Sequence, residues 1–180
     1  EEAYVRQEAY VRYLAVMLEL LTGEGDWEYS ARSYLSTKPD DPEYAYYGDY
    51  IRLMLHCNLL MQEKRDEAGE LLRDRWRTIN RSSWDERLHQ RDEAAWRERL
   101  IGYYLDEVKE EEFFAPLKDS QVFKDSSLFH LGRSIESLRC EAHFYDALLK
   151  GATGDPGTRS TREVESLKRV IETQSTTYYE

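Results

Sequence analysis

Apolar residues recur at steps of three and four along most of the chain, the spacing of one helix face. Residues 3–22 carry Tyr4, Val11, Leu14, Met17, Leu18 and Leu21 in that rhythm, and Gly23-Glu24-Gly25-Asp26 ends the segment. A glycine accepts the left-handed conformation that commonly closes a helix. A second helix follows over about 27–37, with Trp27, Ser30, Ala31, Tyr34 and Leu35 as its inward set. Pro39-Asp40-Asp41-Pro42 then breaks the chain, and Asp41 before Pro42 predicts the start of a third helix. That helix, about 43–62, carries Tyr47, Ile51, Met54, Leu55, Asn58, Leu59 and Leu60, and a fourth over 66–79 carries Ala68, Leu71, Leu72, Trp76 and Ile79. Ser82-Ser83 offers a cap for a helix over 84–105, with a break near Gln90–Asp92 as the alternative, and a short amphipathic segment at 107–118 ends in Phe113, Phe114 and Leu117. Helices over 126–150 and 160–174 follow, separated by the Gly-rich turn 151–157. No stretch alternates as a strand would.

The spacing of these elements predicts an architecture. Helices joined by short turns must pack antiparallel with their sequence neighbours. Helix, turn and helix together make units of roughly 34–40 residues, so 180 residues hold about five hairpins. One hairpin cannot bury its own apolar face, so the units must stack. The expectation is one all-α domain, 1–180, of stacked antiparallel helical hairpins. The 9 Gly and 4 Pro agree, being too few for a turn-dense β fold, and 14 Tyr, 4 Trp and 5 Phe supply large buried surfaces.

Charge narrows the class of partner. The net charge of −11 argues against nucleic acid or anionic lipid, both of which attract basic surfaces. No apolar run reaches the length of a membrane span. The charge is uneven: residues 1–50 carry 4 bases and 11 acids, whereas residues 51–100 carry 11 and 10. A peptide with basic residues suits the acidic first third, and a carboxylate-bearing partner suits the Arg-dense middle. Compartment is not legible in the residues. Cys57 and Cys140 fit a reducing one, or an oxidising one with both thiols hidden.

The residues of the first unit form a recognisable set. Leu14, Met17, Leu18 and Leu21 supply one helix, Gly25-Asp26-Trp27 the turn, Ser30 a small crossing residue, Tyr34 the large one beside it, and Pro42 the close. This resembles a tetratricopeptide repeat, and Leu55, Leu59, Ala68 and Leu72 continue the resemblance in the second unit. Leu14 and Leu18 replace the usual Trp and Gly, and the second unit has no closing Pro. Cys140-Glu141-Ala142-His143-Phe144-Tyr145, followed by Val170-Ile171-Glu172-Thr173-Gln174-Ser175, is similar to the terminal repeat of the bacterial lipoprotein NlpI family. The order of parts over residues 29–180 is similar as well. That resemblance implies an envelope adaptor that holds proteases or cell-wall hydrolases and forms a homodimer through terminal helices.

Sites with chemistry of their own are scarce. Cys140 and His143 can share a helix face but are half of a zinc site, which needs four ligands. Their simplest reading puts Cys140 and Phe144 toward the core with His143 at its rim. Gly151 to Thr158 lacks the Lys of a phosphate-binding loop, and Asp155 would repel phosphate. His56 beside Cys57 points about 100° away from it, which does not make a catalytic pair. His89, His130 and the tripeptide Asn80-Arg81-Ser82 stand alone. The expected function is therefore protein or peptide binding, with no cofactor, no metal and no catalysis. The expected binding residues are Tyr44, Tyr47, Tyr50, Arg52, Arg97 and Tyr103, because Tyr combines contact area with a hydrogen-bonding tip. A cytoplasmic tetratricopeptide adaptor for a chaperone or regulator, and an all-α enzyme, are the alternatives.

Overall fold

The computed structural model describes residues 2–39, 41–79, 81, 93–118 and 135–154. Within them every regular element is a helix: α1 (Glu2–Thr22), α2 (Trp27–Ser36), α3 (Pro42–Met61), α4 (Arg65–Arg77), α5 (Glu93–Tyr104), α6 (Glu110–Lys118) and α7 (Ile135–Thr153). The cap at Ser82-Ser83, residues 84–92 and 126–134 of two predicted helices, His89, His130, the helix over 160–174 and turn positions 155–157 lie outside the described residues.

The punctuation of the chain follows local chemistry. Asp26 caps α2 by accepting from the Tyr29 backbone N–H at 3.1 Å. Asp41 does the same for α3, accepting from Glu43 N at 3.0 Å, with Pro42 at the first helical position. Gly23 and Gly25 take φ of +68° and +82° in the α1–α2 turn, the left-handed region that favours glycine. Glu110, Glu111 and Glu112 fill the first turn of α6, where acids meet the positive end of the helix dipole. The predicted turn at 151–157 starts late, because α7 continues through Gly151, Ala152 and Thr153.

The central element is α3, which packs against α1, α2, α4, α5 and α7. A helix surrounded in this way is apolar nearly all round. Its Ile51, Leu55 and Leu59 pack with Ala9, Val16, Ala31, Tyr34 and Ala68. Its Leu53 and Cys57 face the other way, into a core with Trp76, Trp96, Leu100, Phe113 and Tyr145. Ala31 and Ala68 are fully buried, which lets α2 and α4 come close to α3. The tight turn after α5 also depends on a missing side chain. A Cβ on Gly102 would lie 2.5 Å from Trp76 Cη2 and 2.8 Å from Val108 Cγ2.

One expectation is reversed. The inward face of α1 is carried by Ala9 and Val16, with Val5 and Tyr13 beside them. Leu14, Leu18 and Leu21, expected to fill the first hairpin, are exposed, together with Tyr4 and Val11. Two apolar stripes run along this helix, and the one carrying Ala9 and Val16 packs against α2 and α3. Phe144 is likewise exposed on α7 rather than turned to the core, and Cys140 is only partly buried.

Candidate interaction surfaces

Four Tyr near the start of α3 cannot share one helix face, and the structure gives each its own neighbour. Tyr44 is buried against the Tyr34 ring of α2, 5.3 Å between centroids. Tyr47 stacks on Tyr13 of α1 at 5.0 Å and meets Tyr10 at 5.6 Å. Tyr50 stacks on Tyr145 of α7 at 5.8 Å. Tyr46, the one of the four not among the expected binding residues, lies under the Arg97 guanidinium at 4.0 Å. Tyr103 is buried against Phe113 at 4.5 Å and donates its hydroxyl to Asp146 Oδ1 at 2.6 Å. Burial, then that carboxylate, pushes the Tyr103 phenol well up.

Arg52 and Arg97 do come together, around a residue the sequence pattern hid. Asp49 of α3 is 1% exposed. Its Oδ1 accepts from Arg75 Nε at 2.9 Å and Arg52 Nη1 at 3.2 Å, and its Oδ2 accepts from Arg75 Nη2 at 3.1 Å. Arg97 Nε stands 3.9 Å from Oδ2, close enough for charge attraction but not for a hydrogen bond. Three guanidiniums thus converge on one carboxylate and tie α3 to α4 and α5. The two hydrogen-bonded arginines respond differently. Burial lowers the Arg52 pKa and its single bond to Asp49 only partly opposes this. Burial also works against Arg75, but its two-pronged bond and the Asp49 charge leave it raised. The signal for this hub was an acid inside an apolar helix, at the position between Gly48 and Tyr50. Its partners lie at sequence separations that spacing rules do not reach.

Of the six expected binding residues, Tyr44, Tyr50, Arg97 and Tyr103 are buried, while Tyr47 and Arg52 are half-buried. They frame the helices. The open surfaces are elsewhere. Between α6 and α7 lies a cavity of about 570 Å³ lined by Glu110, Glu111, Phe114, Arg139, His143 and Asp146. Asp146 is held there by Tyr103 and by Lys150 at 2.9 Å, and Phe114 stacks on the His143 ring at 5.1 Å.

The second surface begins on α1. Tyr4, Val11, Leu14, Leu18 and Leu21 are 73, 56, 44, 62 and 78% exposed. They recur at heptad spacing along the side of α1 opposite Ala9 and Val16. At the C-terminal end of this row an apolar cleft of about 180 Å³ opens between α1, α3 and α7. Leu21 belongs to both row and cleft, and Trp27, Met61, Phe144 and Leu148 complete its walls. Met17, Met54 and Met61, all three methionines of the chain, line it. Thioether side chains are flexible and polarisable, and they adapt to varied apolar shapes.

Among the described residues, no group of three or more His, Cys, Asp or Glu is placed to hold a metal ion, and no helix is long and apolar enough to cross a membrane. No family model, curated protein or solved structure matches this chain.

Proposed function

We propose that this chain is a protein-interaction domain that works as an adaptor without catalysis, built from tetratricopeptide-like helical hairpins. The observation that carries the reading is the row of large apolar side chains on the outer side of α1, continuous with the Met-lined cleft. A contiguous apolar surface of this kind usually marks a docking site. In this reading the α1–α2 and α3–α4 pairs are the hairpin units; Ser30, expected as the small crossing residue of the first, is half-buried, and the neighbouring Ala31 is the fully buried one, as Ala68 is in the second. About five such units would complete the chain. The envelope adaptor implied by the lipoprotein resemblance is the narrower form of the same reading, and a cytoplasmic adaptor is its counterpart.

The test is affinity capture from envelope and cytosolic extracts, with Leu14→Glu/Leu18→Glu as the control. Both side chains are exposed, so the double variant keeps its fold. The reading expects prey on the wild type that the variant loses. Failure to enrich any protein from either extract sinks it. A second reading, small-ligand binding at the α6–α7 cavity, is favoured by a volume within the usual range of ligand sites.

A further inference from the structure

We infer that the cleft at the C-terminal end of α1 takes a basic amphipathic helix from a partner protein. This rests on the adaptor reading and names the chemistry of its partner. The apolar half of the argument is the cleft itself, with Leu21 and Met61 exposed at its mouth and Trp27, Phe144 and Leu148 in its walls. Such a cleft accepts the apolar side chains of a helix at spacings of three and four.

The other half is charge. Among residues 1–50 the bases Arg6, Arg12, Arg32 and Lys38 are each engaged by an acid of the same chain: Arg6 by Glu43, Arg12 and Lys38 by Glu8, and Arg32 by Glu28 and Glu67. Acids exceed bases by seven in this third; Asp49 is met by Arg52 and Arg75, and the rest of the excess leaves the segment negative. Part of it sits beside the cleft. Glu24 and Asp26 are exposed in the short turn joining Leu21 to Trp27, both of which line the cleft. A partner helix with lysines or arginines beside its apolar row would meet these acids as it docks.

The same charge argues against a second copy of this chain as the occupant. Two copies meeting through this face would bring two acid-rich ends together. A standard stable dimer interface takes about 800 Å² from each partner. A short helix inserting its apolar side chains into the cleft does not need so large a flat contact.

The experiment uses the full chain and three fluorescein-labelled 15-residue peptides. One has leucines at helix spacing with lysines elsewhere; one replaces lysine by glutamate; one scrambles the lysine peptide so that the apolar row is lost. Anisotropy should show the lysine helix binding at least tenfold more tightly than either control. Leu21→Glu and Met61→Glu should each weaken it at least tenfold, and Glu24→Lys several-fold. The Glu substitutions separate docking from general attraction, because they add negative charge: simple attraction would tighten, whereas occupation of the cleft is lost. Equal binding of the lysine and glutamate helices, or binding unmoved by Leu21→Glu and Met61→Glu, overturns the proposal. So does a dimer in sedimentation equilibrium that Leu21→Glu dissociates, since the cleft would then belong to a second copy. Captured prey whose binding ignores Leu21→Glu would leave the adaptor reading standing and remove this one.

Discussion

Replacing Asp49 by Asn keeps the size of the side chain and removes its charge. In the wild type this carboxylate is 1% exposed and accepts three hydrogen bonds from Arg75 and Arg52, with Arg97 held nearby by charge. Asparagine can still accept from Arg75 through its carbonyl oxygen. Its amide, however, would face a guanidinium donor, and three positive side chains would lose the one carboxylate on which they converge. Breaking a buried ion pair by removing one partner costs about 3–5 kcal/mol. The Arg52 and Arg75 side chains keep 16% and 21% of their exposure, so water relieves part of the repulsion. The expected loss is therefore near the lower bound, about 3 kcal/mol. With a urea dependence of about 2 kcal/mol per molar, the unfolding midpoint falls by roughly 1.5 M. Far-UV circular dichroism in a urea series reads this directly. Asp74→Asn is the comparison. Its pair with Arg77 is as short, at 2.7 Å, but both side chains are 68% exposed. That substitution should cost under about 0.5 kcal/mol. If Asp49→Asn stays within about 1 kcal/mol of the wild type, the hub is not what holds α3 to α4 and α5, and the reasoning from burial fails.

Three further outcomes follow from the packing. Gly102→Ala drives a methyl into Trp76 and Val108, and overpacking of this kind costs about 1–3 kcal/mol. A thermal melt should fall by several degrees, and an unchanged melt would mean that the α5 turn yields freely. Cys57 is buried and its thiol is pushed up to about 12 by burial, so it should resist a thiol reagent at neutral pH while partly exposed Cys140 reacts. One thiol is expected in the native protein and two in urea; two in the native protein would refute the burial. His56 is held below its ordinary 6.5 by burial, with Nδ1 2.8 Å from the Ala68 carbonyl, so the neutral ring donates there. The unfolded chain then binds the extra proton first, and stability should be full above pH 6.5 and fall as the pH drops below it. His56→Gln should flatten that dependence in urea titrations at several pH values, and an unchanged slope would assign it to other groups.

Helix boundaries were the most legible feature. The capping logic of Asp41-Pro42 and the breaker at Gly23 to Asp26 placed the ends of α1, α2 and α3 within a residue or so, because caps act over three or four positions. The small inward residues Ala31 and Ala68 were also readable from spacing. The choice of buried face was not. On α1, the stripe Leu14, Leu18, Leu21 is more apolar than the stripe Ala9, Val16, yet it faces out. Hydrophobicity ranks faces singly, whereas packing depends on how closely a neighbour can approach.

The chain by itself determined the helical character of the described residues, the places where α1, α2 and α3 start and stop, and an acid-rich first third. Those properties depend on neighbours within a few positions, or on composition alone. Only the tertiary structure decided that α3 would lie at the centre, and this one placement changed the meaning of its tyrosines. A helix with partners on nearly every side has little outer face, so the tyrosines that crowd its surface pack against the neighbouring helices. It also set Asp49 among arginines from its own helix, from α4 and from α5, up to 48 positions away. Charge attraction acts through space, and the distance along the chain does not enter it. The open surface was displaced to α1 and the Met-lined cleft, where the sequence had implied a filled core.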